Sequence, residues 1–217
     1  MKRHIPNILT IGRVVLCFVN FIALAAITVL HNAHPDSPDQ AQVVIQVVSV
    51  LAWVAVVSFV VAAISDFFDG WLARRWQVVS TFGAILDPIA DKILVCGAIL
   101  GLTGLGVPGV LLPGTLILFR EFSVSAMREV LAPRGIKLPV TFLAKTKTTV
   151  QLVALTAIMV LALWGVLGGG EVSAMGAEIA LRVCEGLMWL AALITVWTGV
   201  EYAMAASKAL KALKPVS

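Results

Sequence analysis

Apolar positions in this chain neither alternate nor gather on one helical face; they run on in long blocks separated by short polar stretches. Predominantly apolar windows fall near residues 8 to 30, 43 to 65, 83 to 105, 107 to 128, 148 to 167 and 184 to 204. Each approaches the roughly 20 residues that a helix needs to cross the hydrocarbon of a bilayer. A helix satisfies its own backbone hydrogen bonds where lipid offers none, and no alternating polar strands point to a barrel. The pattern predicts an all-α, polytopic membrane protein with about six transmembrane helices, organised as a single domain over residues 1–217. The charged start MKRHIPNILT resembles a signal peptide, but apolar sequence continues from Ile11 to Leu30 without a small-residue cleavage site, so it reads as a retained first span.

Composition agrees. Of the 217 residues, 60% are hydrophobic and 13% are charged, against about 25% charged in an ordinary soluble domain. Cys17, Cys96 and Cys184 are isolated in apolar runs without metal-ligand spacing and read as buried thiols. The cations set an orientation, because Lys and Arg are retained on the cytoplasmic side. Lys2 and Arg3 precede the first window, Arg74 and Arg75 follow the second, Arg134, Lys137, Lys145 and Lys147 follow the fourth, and Lys208, Lys211 and Lys214 follow the last. The stretches 31 to 42 and 102 to 112 hold no Lys or Arg, and Arg182 alone lies near the final outer loop. The expectation is N-in, C-in, in a bacterial cell membrane. The net charge of +4 then serves orientation and attraction to anionic membrane lipids, and no run suggests nucleic-acid binding. Gly168, Gly169 and Gly170 mark a turn, and Glu178 to Glu185 carry acid and base at helical spacing, as a short interfacial helix would.

Candidate chemistry is concentrated in SDFFDGWLARRWQVVSTFGAILDPIAD, residues 65 to 91, which holds four of the chain's twelve carboxylates. Ionisable groups at membrane depth are costly and mark function by default. Asp66, Asp69, Gly70 and Ala73 fall at i, i+3, i+4, i+7, one helix face; Gly83, Asp87 and Asp91 at i, i+4, i+8 form a second. Each face sets carboxylates beside residues with little side chain, where a large ligand can reach the backbone. If the two faces meet, like charges converge in a poorly solvated place and call for cations. Hard oxygen ligands suit Mg²⁺ or Mn²⁺, and two such ions can hold both the attacking and the leaving oxygen of a phosphoryl displacement. Pro88 means that the helix either starts near Asp87 or bends there, with Ser80 or Thr81 as N-cap in the second case. The plain alternative is a set of interfacial acids paired with Arg74, Arg75 and Lys92.

These residues resemble the signature of the CDP-alcohol phosphotransferase family, D-x2-D-G-x2-A-R-x8-G-x3-D-x3-D, filled here by Asp66, Asp69, Gly70, Ala73, Arg74, Gly83, Asp87 and Asp91 with every spacing intact. The resemblance implies metal ligation by Asp66, Asp69 and Asp87, with Asp91 as general base and a further metal contact. The expected CDP-lipid contacts are Asn7, Thr10, Gly70, Ala73, Arg74, Ser80 and Gly83; Asn7 reads equally as a helix cap. IPNILTIGR (5 to 13), REFSVSAMRE (120 to 129) and AKTKTTVQLVAL (144 to 155) are similar to the branch that transfers a phosphatidyl group from CDP-diacylglycerol to sn-glycerol 3-phosphate, releasing CMP. In that branch the acceptor phosphate lies among Arg120, Arg128 and Lys145, with Thr10 and Arg13 nearby, and the family is often homodimeric.

That acceptor has a physical rationale, since Arg suits bidentate phosphate contacts. Arg120, Ser125 and Arg128 share a broad face of a regular helix, and Glu121 reads as an orienting partner. Snorkelling to headgroups competes with substrate contact for Lys137 and Lys147. His4, His31 and His34 read as solvated, and the six tryptophans as interfacial or packing residues. Two other functions remain open. One is a family member using inositol phosphate, serine or phosphatidylglycerol; the other is a small transporter with an intramembrane carboxylate cluster.

Overall fold

The computed structural model describes the backbone of residues 5–33, 35, 37–76, 81–134, 136 and 142–212; side chains of 5–8, 66–76, 81–85, 142–145 and 212 lie outside the described set. The described elements are helical: α1 (Ile5–His31), α2 (Pro38–Trp76), α3 (Thr81–Gly104), α4 (Leu111–Leu131), a 3₁₀ turn (Ala132–Arg134), α5 (Phe142–Ala162) and α6 (Ala174–Ala212). Each apolar window falls mainly on one of these helices. Leu9–His31, Pro38–Ser65 and Ala174–Lys211 are long and apolar enough to cross a membrane. Large apolar side chains also face outward, among them Val29, Leu112, Phe119 and Leu193. Water would penalise such a surface and lipid would not.

Helix ends follow local chemistry. Pro38 opens α2 at a position where its missing N–H costs nothing. Beyond it no proline interrupts the sequence before Trp76, so α2 continues past the predicted window and carries Asp66–Trp76 on the same helix. Between α3 and α4 the chain turns at Gly106 and Gly109, with φ of 69° and 75°, conformations open to glycine at little cost. Gly168, with φ of 83°, turns the chain after α5.

Two expectations change, and one open alternative is decided. Residues 178 to 185 form no separate interfacial helix, because the sequence from Ala174 to Ala212 contains no proline and α6 runs through it. Of the two alternatives left open by Pro88, a helix start near Asp87 is not the one found. The helix begins at Thr81 and passes through Pro88, leaving Asp87 and Asp91 one turn apart on a continuous helix. Finally, α5 starts at Phe142 rather than near 148, so Lys145 and Lys147 belong to its opening turns instead of a loop.

The six helices pack as two groups of three: α1 lies against α2 and α3, and α6 against α4 and α5, while α3 and α2 join the groups through α4 and α5. Small buried residues permit close approach, including Ala23, Ala52, Ala55, Ala62, Ala98 and Ala191. The α1–α3 seam is built on glycine. A Cβ on Gly97 would sit 3.4 Å from Phe21 Cβ, one on Gly101 2.6 Å from Leu24 Cβ, and one on Gly104 3.4 Å from Thr28 Cγ2. Contacts advance together along both helices, so α1 and α3 run parallel. Gly101→Val is expected to cost about 1–3 kcal/mol by overpacking this seam, read as a lower melting temperature in detergent. An unchanged melting temperature would show that the seam yields.

Candidate active site

The parallel seam brings the start of α1 onto the signature acids of α3. Thr10 Oγ1 donates to Asp87 Oδ1 at 3.1 Å. Arg13 bridges both acids, with Nη2 2.5 Å from Asp87 Oδ1 and Nη1 3.1 Å from Asp91 Oδ1. The Cys17 thiol donates to the Ala90 carbonyl oxygen at 3.6 Å, one turn further along. Burial is unequal: the Arg13 side chain is 1% exposed, whereas those of Asp87 and Asp91 are 43% and 44% exposed. The guanidinium therefore backs the two acids from inside the bundle, and nearly half of each acid's side chain stays exposed. The described ion pairs of Asp87 and Asp91 run to Arg13; the side chains of Arg74 and Arg75, considered as partners from sequence, lie outside the described residues.

A second cluster forms where α4, α5 and α6 meet. Glu121 Oε1 accepts from Arg120 Nη1 at 3.3 Å and also from Lys147 Nζ. Arg120 Nη2 donates to Thr198 Oγ1 at 3.0 Å, and Arg128 Nη2 donates to the Tyr202 hydroxyl at 2.7 Å. Both guanidinium carbons lie over the Tyr202 ring, 5.4 Å and 5.0 Å from its centroid. Deeper in, Gln151 Nε2 donates to Thr195 Oγ1 at 2.6 Å, and the Thr195 hydroxyl donates in turn to the Ala191 carbonyl oxygen at 2.6 Å. Lys147 is 6% exposed and paired. It does not snorkel, because burial against Glu121 replaces the headgroup that a snorkelling lysine would seek.

The two clusters share a cavity of about 70 Å³, lined by Asp91 and Lys92 of α3, Glu121 and Phe122 of α4, and Lys147, Thr148 and Gln151 of α5, among others. Asp91 thus faces Arg13 on one side and the cavity on the other. Lys92 and Phe122 also border a groove of about 460 Å³ whose other walls are apolar, including Phe18, Phe21, Ile93 and Leu100.

Of the residues singled out from sequence, the structure brings together Thr10, Arg13, Asp87 and Asp91, and separately Arg120 and Arg128. Backbone of Asp66, Asp69, Gly70, Ala73 and Arg74 is helical in α2, that of Gly83 in α3, Asn7 in α1 and Lys145 in α5; their side chains, and Ser80, lie outside the described residues. Sequence reasoning missed Thr198 and Tyr202, which sit in the last apolar window without a motif. Arg13 was placed near the acceptor phosphate by resemblance, whereas its described partners are the α3 acids.

The donor chemistry suits a hard divalent cation. Asp87 and Asp91 each give Oδ1 to a different nitrogen of Arg13 and keep 43% and 44% of their side chains exposed, and carboxylate oxygens are the preferred ligands of Mg²⁺ and Mn²⁺. Two acids do not complete such a site, and among the described residues no group of three or more His, Cys, Asp or Glu could hold a metal. The further acids of the signature, Asp66 and Asp69, are on the helical backbone of α2.

Residues 3–197 match the model of the CDP-alcohol phosphatidyltransferase family. Among curated relatives, a CDP-diacylglycerol--glycerol-3-phosphate 3-phosphatidyltransferase of Rickettsia felis is 35% identical over 209 residues, covering 96% of this chain and 98% of that protein. Proteins of the same name from Cereibacter sphaeroides and Salmonella typhimurium are 53% identical over 105 residues and 39% identical over 161 residues. The first of these two matches spans 48% of each protein, and the second 71% of this chain and 81% of the relative.

Proposed function

The chain belongs to the CDP-alcohol phosphatidyltransferase family, and from that premise we propose that it transfers a phosphatidyl group from CDP-diacylglycerol to sn-glycerol 3-phosphate, giving phosphatidylglycerol phosphate and CMP. The observation that carries this reading is the position of Asp91, open at once to the acidic face of α3 and to a cavity that ends on Glu121 and Lys147. Beyond them Arg120 and Arg128 are gathered at Tyr202. A phosphorylated acceptor with a hydroxyl some bonds away matches a carboxylate separated from paired guanidiniums. Serine and phosphatidylglycerol lack the free phosphate monoester that such cations favour.

The division of labour follows. Asp66, Asp69, Asp87 and Asp91 would hold Mg²⁺ or Mn²⁺, which supplies charge neutralisation for the diphosphate and the departing CMP. Arg13 keeps Asp87 and Asp91 aimed outward. Asp91 takes the proton from the 1-hydroxyl of glycerol 3-phosphate; that oxygen bonds to the lipid-side phosphorus as the bond to CMP breaks. Arg120, Arg128 and Lys145 hold the acceptor phosphate, and Gly70, Ala73, Arg74, Ser80, Gly83, Asn7 and Thr10 surround the CDP moiety. The groove beside Lys92 and Phe122 fits an acyl chain, since it is apolar and adjoins the cavity that contains Asp91. Position and electrostatics are the main sources of phosphoryl-transfer catalysis.

The same reading makes the protein multi-pass, with six crossings, N-in and C-in, and the site on the cytoplasmic side where both substrates are found. The charge bias supports it. Purified protein in detergent is expected to release CMP with CDP-diacylglycerol and sn-glycerol 3-phosphate, to lose that activity with EDTA, and to regain it with Mg²⁺ or Mn²⁺. A panel including serine, inositol phosphate and phosphatidylglycerol fixes the acceptor. Preference for another acceptor would displace this assignment, and turnover in EDTA would remove the metal from it.

A further inference from the structure

Arg120 and Arg128 lie two helical turns apart on α4 and carry like charge, so something must hold them together without cancelling that charge. Glu121 contacts only Arg120 among the described contacts of the pair. The shared neighbour is Tyr202, the chain's single tyrosine, which is 3% exposed and lies under both guanidiniums at 5.4 Å and 5.0 Å. A ring's negative face attracts cations electrostatically, yet the phenol is neutral and leaves the charge of both arginines for an incoming anion. A carboxylate in its place would neutralise one of them.

The surrounding turn of α6 serves the same purpose. Thr198 accepts from Arg120 Nη2 at 3.0 Å. Gly199 makes room for the Arg120 stem, since a Cβ there would sit 2.7 Å from Arg120 Cγ. Tyr202 adds the ring and a hydroxyl 2.7 Å from Arg128 Nη2. Arg120 still has donors in reserve. Of the five N–H groups of a guanidinium, two go to Glu121 and Thr198, and Nε is buried without a partner among the described residues.

We infer that Tyr202, with Thr198 and Gly199, is a positioning device for the acceptor phosphate: the ring fixes two guanidiniums side by side at full charge, so that one phosphate monoester engages both. The inference rests on the glycerol 3-phosphate reading of the site. It assigns a role in acceptor binding to the final helix, outside the signature and outside the segments that carried the family resemblance.

Steady-state kinetics of the full chain in detergent, with both substrates varied, test it. Tyr202→Leu is expected to raise the KM for sn-glycerol 3-phosphate roughly tenfold or more, with the KM for CDP-diacylglycerol within about twofold of the unsubstituted protein. Tyr202→Phe keeps the ring and is expected to raise the acceptor KM less than the leucine variant. Gly199→Ala, which favours helix and displaces the Arg120 stem, is expected to raise the acceptor KM alone; with Tyr202→Phe it carries the test if the leucine variant does not fold. An acceptor KM unchanged in Gly199→Ala, equal rises for both substrates, or a phenylalanine variant as impaired as leucine would overturn the inference. Failure of the underlying reading looks different: the unsubstituted protein would then release no CMP with sn-glycerol 3-phosphate.

Discussion

Asp91→Asn is expected to lower kcat for CMP release by roughly 10²–10⁴-fold, the usual worth of a positioned general base, while KM for the acceptor changes little. Asparagine preserves the side-chain volume and keeps an oxygen to accept from Arg13 Nη1, which lies 3.1 Å from the present carboxylate. The half-exposed position carries little packing, so the variant is expected to fold. What it loses is the capacity to take a proton. Asp91 borders the cavity shared with Glu121 and Lys147, and Asp87 is absent from its lining, which is why the base role goes to the former. A base is needed only in the transition state, so the loss falls on kcat and kcat/KM together. Raising Mg²⁺ or Mn²⁺ separates this from lost metal affinity: recovery at high metal would make Asp91 a ligand first. A kcat within tenfold of the unsubstituted protein would remove the base assignment.

The helices were legible because lipid leaves few ways to satisfy a backbone, and long apolar blocks then speak for themselves. Helix ends were less so. Apolar windows register the part of a helix suited to lipid, not the helix, and α2 and α6 run well beyond theirs at 39 residues each. At the site, spacing alone put Asp87 and Asp91 on one face, since a helix repeats locally. No local pattern reveals what that face meets. Thr10 and Arg13 reach the acids across 77 and 78 positions of sequence, and Arg120 reaches Thr198 across 78. These meetings depend on α1 lying parallel to α3 and α4 beside α6. Gly97, Gly101 and Gly104 line the first seam, but glycines inside an apolar block do not say which helix they will meet. Tyr202 gave no signal because one aromatic residue in an apolar helix is ordinary packing until two guanidiniums are found over it.

Glu121→Ala is expected to destabilise the protein by about 3 kcal/mol, the lower part of the range for breaking a buried ion pair from one side. The argument is one of unequal burial. Glu121 Oε1 accepts from both Arg120 and Lys147, whose side chains are 7% and 8% exposed, while Glu121 itself is 21% exposed. Removing the acid returns little to solvent and leaves two cations in a region that solvates neither. Lys147 suffers more, because Arg120 retains Thr198 and the Tyr202 ring, and Lys147 has no other salt bridge among the described residues. Lys147→Met in the Glu121→Ala background should therefore restore part of the stability, since the uncompensated ammonium goes while most of the buried stem remains. Melting temperatures in detergent across the four proteins of the cycle give the coupling, expected to be well above the roughly 0.5 kcal/mol scatter of independent sites. Strict additivity would mean that Glu121 and Lys147 act separately, and the pair would then have no claim to hold the wall of the cavity opposite Asp91.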